Sequence, residues 1–320
     1  MDFRENTVSD GFLMIKSAEK KVTAKGMTYL DLMLCDKDSE ISAKLWDYKE
    51  EIQGMFEAGN IVKIRGTVAP YNGVDQLRIE KIRKAVPTDE VNPADFVPSA
   101  EFDGEEMFLE LTKIAEEIKD SDIKAIVLAI YDDYKEKLLY WPAAFRLHHA
   151  IRGGLLYHTL SIVRLAQSVC KIYPSVDADL LIAGAMLHDI AKTDEFIVNE
   201  SGTASGYSLE GNLVGHLAKG AMIIEKTAEK LNINSDVKLL LQHMVLSHHG
   251  EPEFGAAVKP MFLEAELLSE LDLMDARIFE LAEAIGNAPE GEYTNRMWAL
   301  DNRKFYNHGR QEVSTKAKLF

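Results

Sequence analysis

The stretch "AMLHDIAKTDEF", residues 185–196, sets an imidazole, a carboxylate and an amine inside an apolar run. Ala185, Met186 and Leu187 read as the interior of a helix, and His188, Asp189 and Lys192 follow directly. Burying such groups costs several kcal/mol each unless they are paired or bound to a metal. Any fold that buries this stretch must therefore bring compensating partners to it from elsewhere in the chain.

The second half of the sequence offers them. From about residue 105 the chain reads as helices, with apolar residues at three/four spacing in "EEMFLELTKIAEEI", "IKAIVLAIYDDYKEKLL", "LLYHTLSIVRLAQSVCKIY", "ADLLIAGAMLHDIAK", "HLAKGAMIIEKTAEKL", "DVKLLLQHMVLSHH" and "FLEAELLSELDLMDARIFELAEAI". Ser235-Asp236 is the expected N-terminal cap of the sixth. A Gly/Ser-rich interruption, residues 196–211, is expected to form a hairpin or flap. His158, His188-Asp189, His216, His248-His249 and Asp272 each fall on or at the end of a different helix of this set. A bundle can aim all of them at one point. A lone histidine on an apolar face is usually a packed core residue, so the argument rests on the set. Imidazole plus carboxylate ligation suits Mn²⁺, Fe²⁺, Co²⁺ or Zn²⁺ better than a thiolate-seeking metal.

The first half has another texture. Residues 8–85 contain five short alternating or apolar runs broken by Gly, Asn and Asp, with an Asn-Gly hairpin signal in "YNGV" (71–74). Five strands in this length, with "EEIQGMFEAGN" (50–60) as a short helix between the third and fourth, fit a Greek-key barrel of the OB type. Residues 86–104 carry three prolines and five acidic residues and read as a linker. The expected architecture is α+β in two domains: a five-stranded OB-type barrel (1–85), a linker (86–104) and an all-α bundle (105–320).

The net charge of −16 argues at first against a nucleic-acid partner. Its distribution weakens that argument. Residues 1–85 hold 14 Lys/Arg and 14 Asp/Glu, while the rest hold 22 and 38 and so carry the whole excess. An acidic region can hold a polyanion once divalent cations reverse the local charge. No run of 18 apolar residues exists, and the polar N-terminus "MDFRENTVSD" lacks a signal-peptide core, so no membrane span or export is expected. Cys35 and Cys170 read as free thiols of a cytoplasmic protein.

His158, the pair His188-Asp189 and the distal Asp272 resemble the signature of the HD-domain phosphohydrolase superfamily. The blocks "HHAIRGGLLYHTLSIVRLA" (148–166), "EGNLVGHLAKG" (210–220), "LSHHGEPEFGA" (246–256) and "WALDNRKFY" (298–306), in that order behind a barrel, resemble the YhaM family of bacterial 3′→5′ exoribonucleases. The resemblance covers nearly the whole chain. It implies a divalent-metal-dependent exonuclease that shortens single-stranded RNA, with DNA as an alternative substrate, from the 3′ end to 5′-mononucleotides, with Mn²⁺ foremost and Co²⁺, Fe²⁺, Mg²⁺ or Zn²⁺ as alternatives, one or two ions per chain. It also implies His158, His188, Asp189 and Asp272 as ligands. His216 and one or both of His248 and His249 resemble the extra ligands of two-metal HD enzymes. One departure is Tyr157, where the family is usually acidic; a phenol cannot orient a ligand as a carboxylate does.

Within that reading Asp189 is the expected bridging ligand, because a carboxylate has two oxygens to share. Lys192 is a candidate to hold a phosphate oxygen, and Asp275, one turn after Asp272, to orient a ligand or balance its charge. These three form the expected catalytic set. His149 and Arg152 are candidates for substrate phosphate, against a packed helix start. On the barrel, Trp46, Lys63, Arg65, Tyr71 and Arg78 are the expected strand-binding residues, combining cations with aromatic faces. The tail "RMWALDNRKFY" is a candidate for packing between subunits of a homo-oligomer. The rival readings are an HD phosphohydrolase acting on a small nucleotide, which would not need a strand-binding barrel, and a nucleic-acid-binding regulator with a dead HD domain, which would not need a complete ligand set.

Overall fold

The computed structural model describes residues 8–23, 25–37, 39–71, 74–145 and 149–320. The Asn72-Gly73 turn and His148 lie outside them. Two compact units are present, Met1–Ser99 with Val198–Thr203, and Ala100–Ile197 with Ala204–Phe320.

The first unit is a closed barrel of β1 (Val8–Val22), β2 (Thr28–Cys35), β3 (Glu40–Leu45), β4 (Ile61–Tyr71) and β5 (Val74–Lys84), in spatial order β1-β2-β3-β5-β4. All neighbours are antiparallel except β3 and β5, which run parallel. That order and the short helix α1 (Glu50–Gln53) between β3 and β4 are those of an OB barrel. Period-2 alternation builds it: Leu30, Leu32 and Leu34 of β2 and Ile41, Ala43 and Leu45 of β3 turn inward, with Tyr29, Asp31 and Lys44 on the outer side. Tyr48 and Phe56, beyond the ends of β3 and α1, join the same core, and the Tyr48 hydroxyl donates to the Gly54 carbonyl at 2.8 Å.

The segment expected to be a linker departs from that expectation. Phe96 and Val97 are buried against Met14 and Cys35 of the barrel, so the chain leaves the first unit at Ser99 rather than at residue 85. Two apolar side chains in a polar, proline-rich stretch were enough to dock it.

The second unit contains α2 (Gly104–Glu116), α3 (Ser121–Leu138), α4 (Gly154–Ile172), α5 (Ala178–Leu187), α6 (Lys192–Glu195), the hairpin β6 (Phe196–Val198) and β7 (Ala204–Tyr207), α7 (Leu209–Leu213), α8 (Gly215–Lys230), α9 (Val237–Ser247) and α10 (Leu263–Gly286). Asp103, Asp120 and Asp177 cap α2, α3 and α5 by accepting first-turn amides. The expected cap of α9 does not form. Asp236 makes no side-chain cap bond, and the Ser235 hydroxyl donates instead to Asp122 at 2.8 Å. The run expected as one helix over 178–192 also breaks: α5 stops at Leu187, His188 and Asp189 form a turn, and α6 starts at Lys192. The His188 ring takes the Ala185 carbonyl that a continuing helix would use.

In the barrel, Gly66 sits at the β4–β5 register shift, where a Cβ would lie 2.4 Å from the Arg78 carbonyl oxygen. Gly66→Ala therefore forces two strands apart. It should destabilise the barrel by about 1–3 kcal/mol, read as a shifted denaturation transition of that unit, with metal binding by the helical unit unchanged.

Candidate metal centre

Five helix termini and faces deliver the site. His158 sits in the second turn of α4, whose start is held tight by Gly154; a Cβ there would lie 2.1 Å from the His149 carbonyl. His188 caps α5, Asp189 follows it, His216 opens α8, His248 caps α9 with His249 beside it, and Asp272 lies midway along α10. The structure brings all seven expected ligands together. His188, Asp189 and His248 are buried.

Asp189 is the hub. Its Oδ2 faces His188 Nε2 at 3.3 Å and His158 Nε2 at 3.8 Å, and its Oδ1 faces His216 Nε2 and His248 Nε2, each at 3.6 Å. His158 Nε2 also meets Asp272 Oδ1 at 3.0 Å. Overlapping groups with room for a cation surround this carboxylate: His158, His188 and Asp189; His188, His248 and Asp272; and His216, His248 and His249.

Each of four imidazoles is held from behind through Nδ1. His188 donates to the Ala185 carbonyl and His248 to the Val245 carbonyl, both at 2.8 Å. His158 is held by Asp275 at 2.8 Å and His216 by Glu195 at 3.0 Å. Fixing the proton on Nδ1 leaves Nε2 as the lone-pair atom turned to the centre. Nε2 of His188, His216 and His248 and Oδ1 of Asp189 are buried without a hydrogen-bond partner. Such orphaned acceptors are costly in a protein interior unless something binds them. A divalent cation fits this donor set of nitrogens and carboxylate oxygens.

The charges agree with the geometry. Burial would raise the Asp189 carboxyl, but Lys192 and His188 hold it well below the usual range, and Lys192 Nζ stands 2.6 Å from Oδ2. Burial would lower Lys192, and Asp189 outweighs it. Burial would likewise lower His158, yet the Asp272 and Asp275 carboxylates push it up to about 10. His249, by contrast, is pushed down to about 3 by burial and by His248 and His216.

Asp275, expected among the catalytic residues, stands behind the centre. It accepts from His149 Nε2 at 2.9 Å, from His158 Nδ1 and from the Ser161 hydroxyl. It supports the His158 ring from behind through Nδ1. Tyr157 is engaged otherwise, donating to the Thr315 carbonyl and accepting from the Ala317 amide. His149, also buried, is part of the Asp275 network and lies in a turn five residues before α4 rather than at a helix start. Arg152 is half-buried with its guanidinium 5.3 Å from the Tyr140 ring centroid. Glu195 and Ser161 escaped the sequence reading. Glu195 lay in plain view in the opening stretch, but nothing in its spacing tied it to residue 216.

On the barrel, Trp46 stacks at 4.7 Å on Tyr29, and Lys44 Nζ lies 5.1 Å from the Tyr29 ring centroid. Lys44 pairs in register with Arg78 across β3 and β5. Lys63 and Arg65 face outward from β4, the former 5.4 Å from the Phe12 ring, with Lys81 opposite Arg65; Tyr71 is exposed at the end of β4. The nominated residues therefore divide between two outer faces, and Tyr29 and Lys44 were missed because their neighbours are set by strand register.

Two consequences follow from the ligand support. Between Asp275 at Nδ1 and Asp272 at Nε2, the metal-free His158 ring is cationic below about pH 10, with a second proton on Nε2, and a ligating imidazole must be neutral. Metal binding near neutral pH should expel about one proton, and affinity should rise with pH toward that value; titration calorimetry in buffers of different ionisation enthalpy reads both. Asp275→Asn should weaken metal binding by about 10–100-fold, measured by equilibrium dialysis.

The HD domain family model matches residues 155–277, the span that carries His158 through Asp275. Over 308 residues the chain is 39% identical to the 3′-5′ exoribonuclease YhaM of Listeria monocytogenes serotype 4b (strain CLIP80459), covering 96% of this chain and 97% of that protein. It is 41% identical over 297 residues to YhaM of Bacillus licheniformis, covering 93% and 94%. The second OB-fold domain of replication protein A from Methanococcus maripaludis overlaps 25% of this chain and 85% of its own at 16% identity and a TM-score of 0.22, so the barrel is assigned from its strand order alone. With an HD signature whose side chains meet at one carboxylate, and with full-length similarity on both sides of it, the chain belongs to the YhaM family of 3′-5′ exoribonucleases.

Proposed function

We propose that this protein is a divalent-metal-dependent 3′→5′ exoribonuclease that hydrolyses single-stranded RNA, and also single-stranded DNA, to 5′-mononucleotides. The observation that carries it is the Asp189 carboxylate, with one oxygen toward His158 and His188 and the other toward His216 and His248. A bound divalent cation supplies Lewis acidity and makes a water acidic enough to ionise near neutral pH. Mn²⁺ suits the mixed imidazole and carboxylate set; Co²⁺, Fe²⁺, Zn²⁺ or Mg²⁺ are alternatives, and Asp189 favours two ions over one.

The chain's own residues supply position and charge. Asp189 would bridge, with His158, His188 and Asp272 on one ion and His216, His248 and His249 on the other. Lys192, already beside Asp189, would turn its ammonium to a non-bridging phosphate oxygen. Glu195, Asp275 and the two backbone carbonyls keep the imidazoles in place, so little reorganisation accompanies the reaction. The hairpin 196–207 is rooted at Glu195, whose carbonyl accepts from the Ser208 amide, and Gly255 lies beside His249. The segment around Gly255 would wall one side of the centre, and a walled site admits a chain end and refuses a continuous strand.

Tyr29, Trp46, Lys44 and Arg78 would grip the strand through stacking and phosphate contacts, with Lys63, Arg65 and Tyr71 as further contacts. This barrel favours a polymer over the rival small-nucleotide substrate. No helix among the described residues is long and apolar enough to cross a membrane, and both cysteines are free, as in a reducing cytoplasm.

With Mn²⁺, linear single-stranded RNA should lose label first from its 3′ end, and a circular form should stay intact. Equal cleavage of both forms would mean internal access and remove the exonuclease reading. His188→Ala or Asp189→Ala should cut turnover by more than the about 10–100-fold typical of losing an outer partner, with the helical circular dichroism retained.

A further inference from the structure

The segment "YTNRMWALDNRKFYNHGR", residues 293–310, has a composition unlike the rest of the chain. It holds Arg296, Arg303, Lys304 and Arg310 against Asp301 alone, a net +3 in a protein of −16. The remainder therefore carries −19. All four cations are exposed. So are three aromatic side chains, Tyr293 at 64%, Trp298 at 72% and Tyr306 at 49%. Burial in this subunit explains none of them.

The segment is nonetheless ordered. It folds back on itself through bridges Tyr293–Tyr306 and Met297–Arg303, with the Thr294 amide donating to the Phe305 carbonyl and the Thr294 hydroxyl accepting from the Phe305 amide. Leu300 and Thr294 are buried and pin it to the unit. The turn places Asp301 and Asn302 in succession at φ of 56° and 55°, a conformation that these residue types tolerate best after glycine. Tyr293 and Tyr306 lie with ring centroids 5.2 Å apart, and the Arg303 guanidinium lies 5.2 Å from the Phe305 ring. Asn307 Nδ2 donates to the Ile285 and Ala288 carbonyls, which seats the hairpin on the C-terminal end of α10. The same helix carries Asp272, 14 residues before its end. At 1.5 Å per residue the hairpin's seat lies about 21 Å along α10 from the metal centre.

We propose that this hairpin is a second single-strand RNA platform, carried by the catalytic unit itself, on which the strand leading to the metal centre rests. The inference rests on the exoribonuclease reading above and adds to it a site outside both the barrel and the ligand set. Trp298 and the Tyr293–Tyr306 pair offer flat faces to bases, and the four cations offer charge to the phosphates between them. Stacking of this kind is tolerant of sequence, as an enzyme that degrades a whole strand needs. In a unit otherwise strongly acidic, a cationic patch of exposed aromatics is complementary to a polyanion carrying rings. The strand would then be held by the same unit that carries the metal-binding residues.

The test uses the full chain and a short single-stranded RNA in chelator, so that binding is read without turnover. Fluorescence anisotropy should show Trp298→Ala and Tyr306→Ala each weakening binding by about 5- to 150-fold. Arg303→Ala with Lys304→Ala should lower the slope of log affinity against log salt by about 1.4. Hydrolysis of a small activated phosphodiester with Mn²⁺ should stay at the wild-type level in all of these, which shows an intact fold and centre. Unchanged affinity and slope in variants that keep diester hydrolysis would overturn the proposal. Unchanged affinity with an altered sedimentation coefficient would overturn it too and assign the hairpin to contact between subunits. A wild-type chain that hydrolyses the diester but neither binds nor shortens RNA would remove the exoribonuclease reading, and this one with it.

Discussion

A single buried carboxylate organises the helical unit. Asp189 has imidazoles on both oxygens and an ammonium on one, and none of these groups tolerates burial alone. The fold answers by ending helices at this point. α5 stops just before Asp189, α9 stops at His248, and α8 starts at His216. Helix ends are where backbone groups are already short of partners, and here side chains and carbonyls satisfy one another. His188 and His248 use the same device, a ring nitrogen bonded to the carbonyl three residues back. The interruption that spoils the helix is what aims the ring.

The supports behind the ligands come from a different part of the chain in each case. Glu195 holds His216 from the far side of the α5–α6 turn, and Asp275 holds His158 from α10. The cost of burying Asp275 is offset by three donors, one of them His149. A ligand set fixed in this way is built before the cation arrives. Its electrostatic cost is carried by the packing of α4, α5, α9 and α10, where Gly184 leaves room for the Met244 and Leu268 side chains.

Charge is arranged on a larger scale by the same logic. The chain as a whole carries −16, yet residues 1–85 are balanced and residues 293–310 carry +3, so the acidic excess lies in the rest of the helical half, which includes the metal-binding pocket. Divalent cations turn that pocket from repulsive to attractive for phosphate. On the proposed reading grip and chemistry would be separated: the barrel and the hairpin would hold rings and phosphates, and the metal centre would need only the end of the strand.

The amino-acid sequence by itself determined the texture of the two halves, because alternation and three/four spacing are local properties of neighbouring residues. It also determined the ligand types, since an adjacent His-Asp pair in an apolar helix demands compensation wherever it is buried. The closed barrel and the convergence of the seven expected ligand residues were legible for that reason. What only the tertiary structure decided depends on which residues meet across the chain. Strand register put Tyr29 and Lys44 beside Trp46 and Arg78. Burial of Phe96 and Val97 turned a proline-rich linker into part of the barrel unit. The choice of Asp275 as the support of His158, of Glu195 as that of His216, and of Asp122 over the α9 amides as the partner of Ser235 was likewise decided in space. Hydrogen bonds between residues 21 to 117 positions apart leave no period in a sequence, so no spacing argument could have found them.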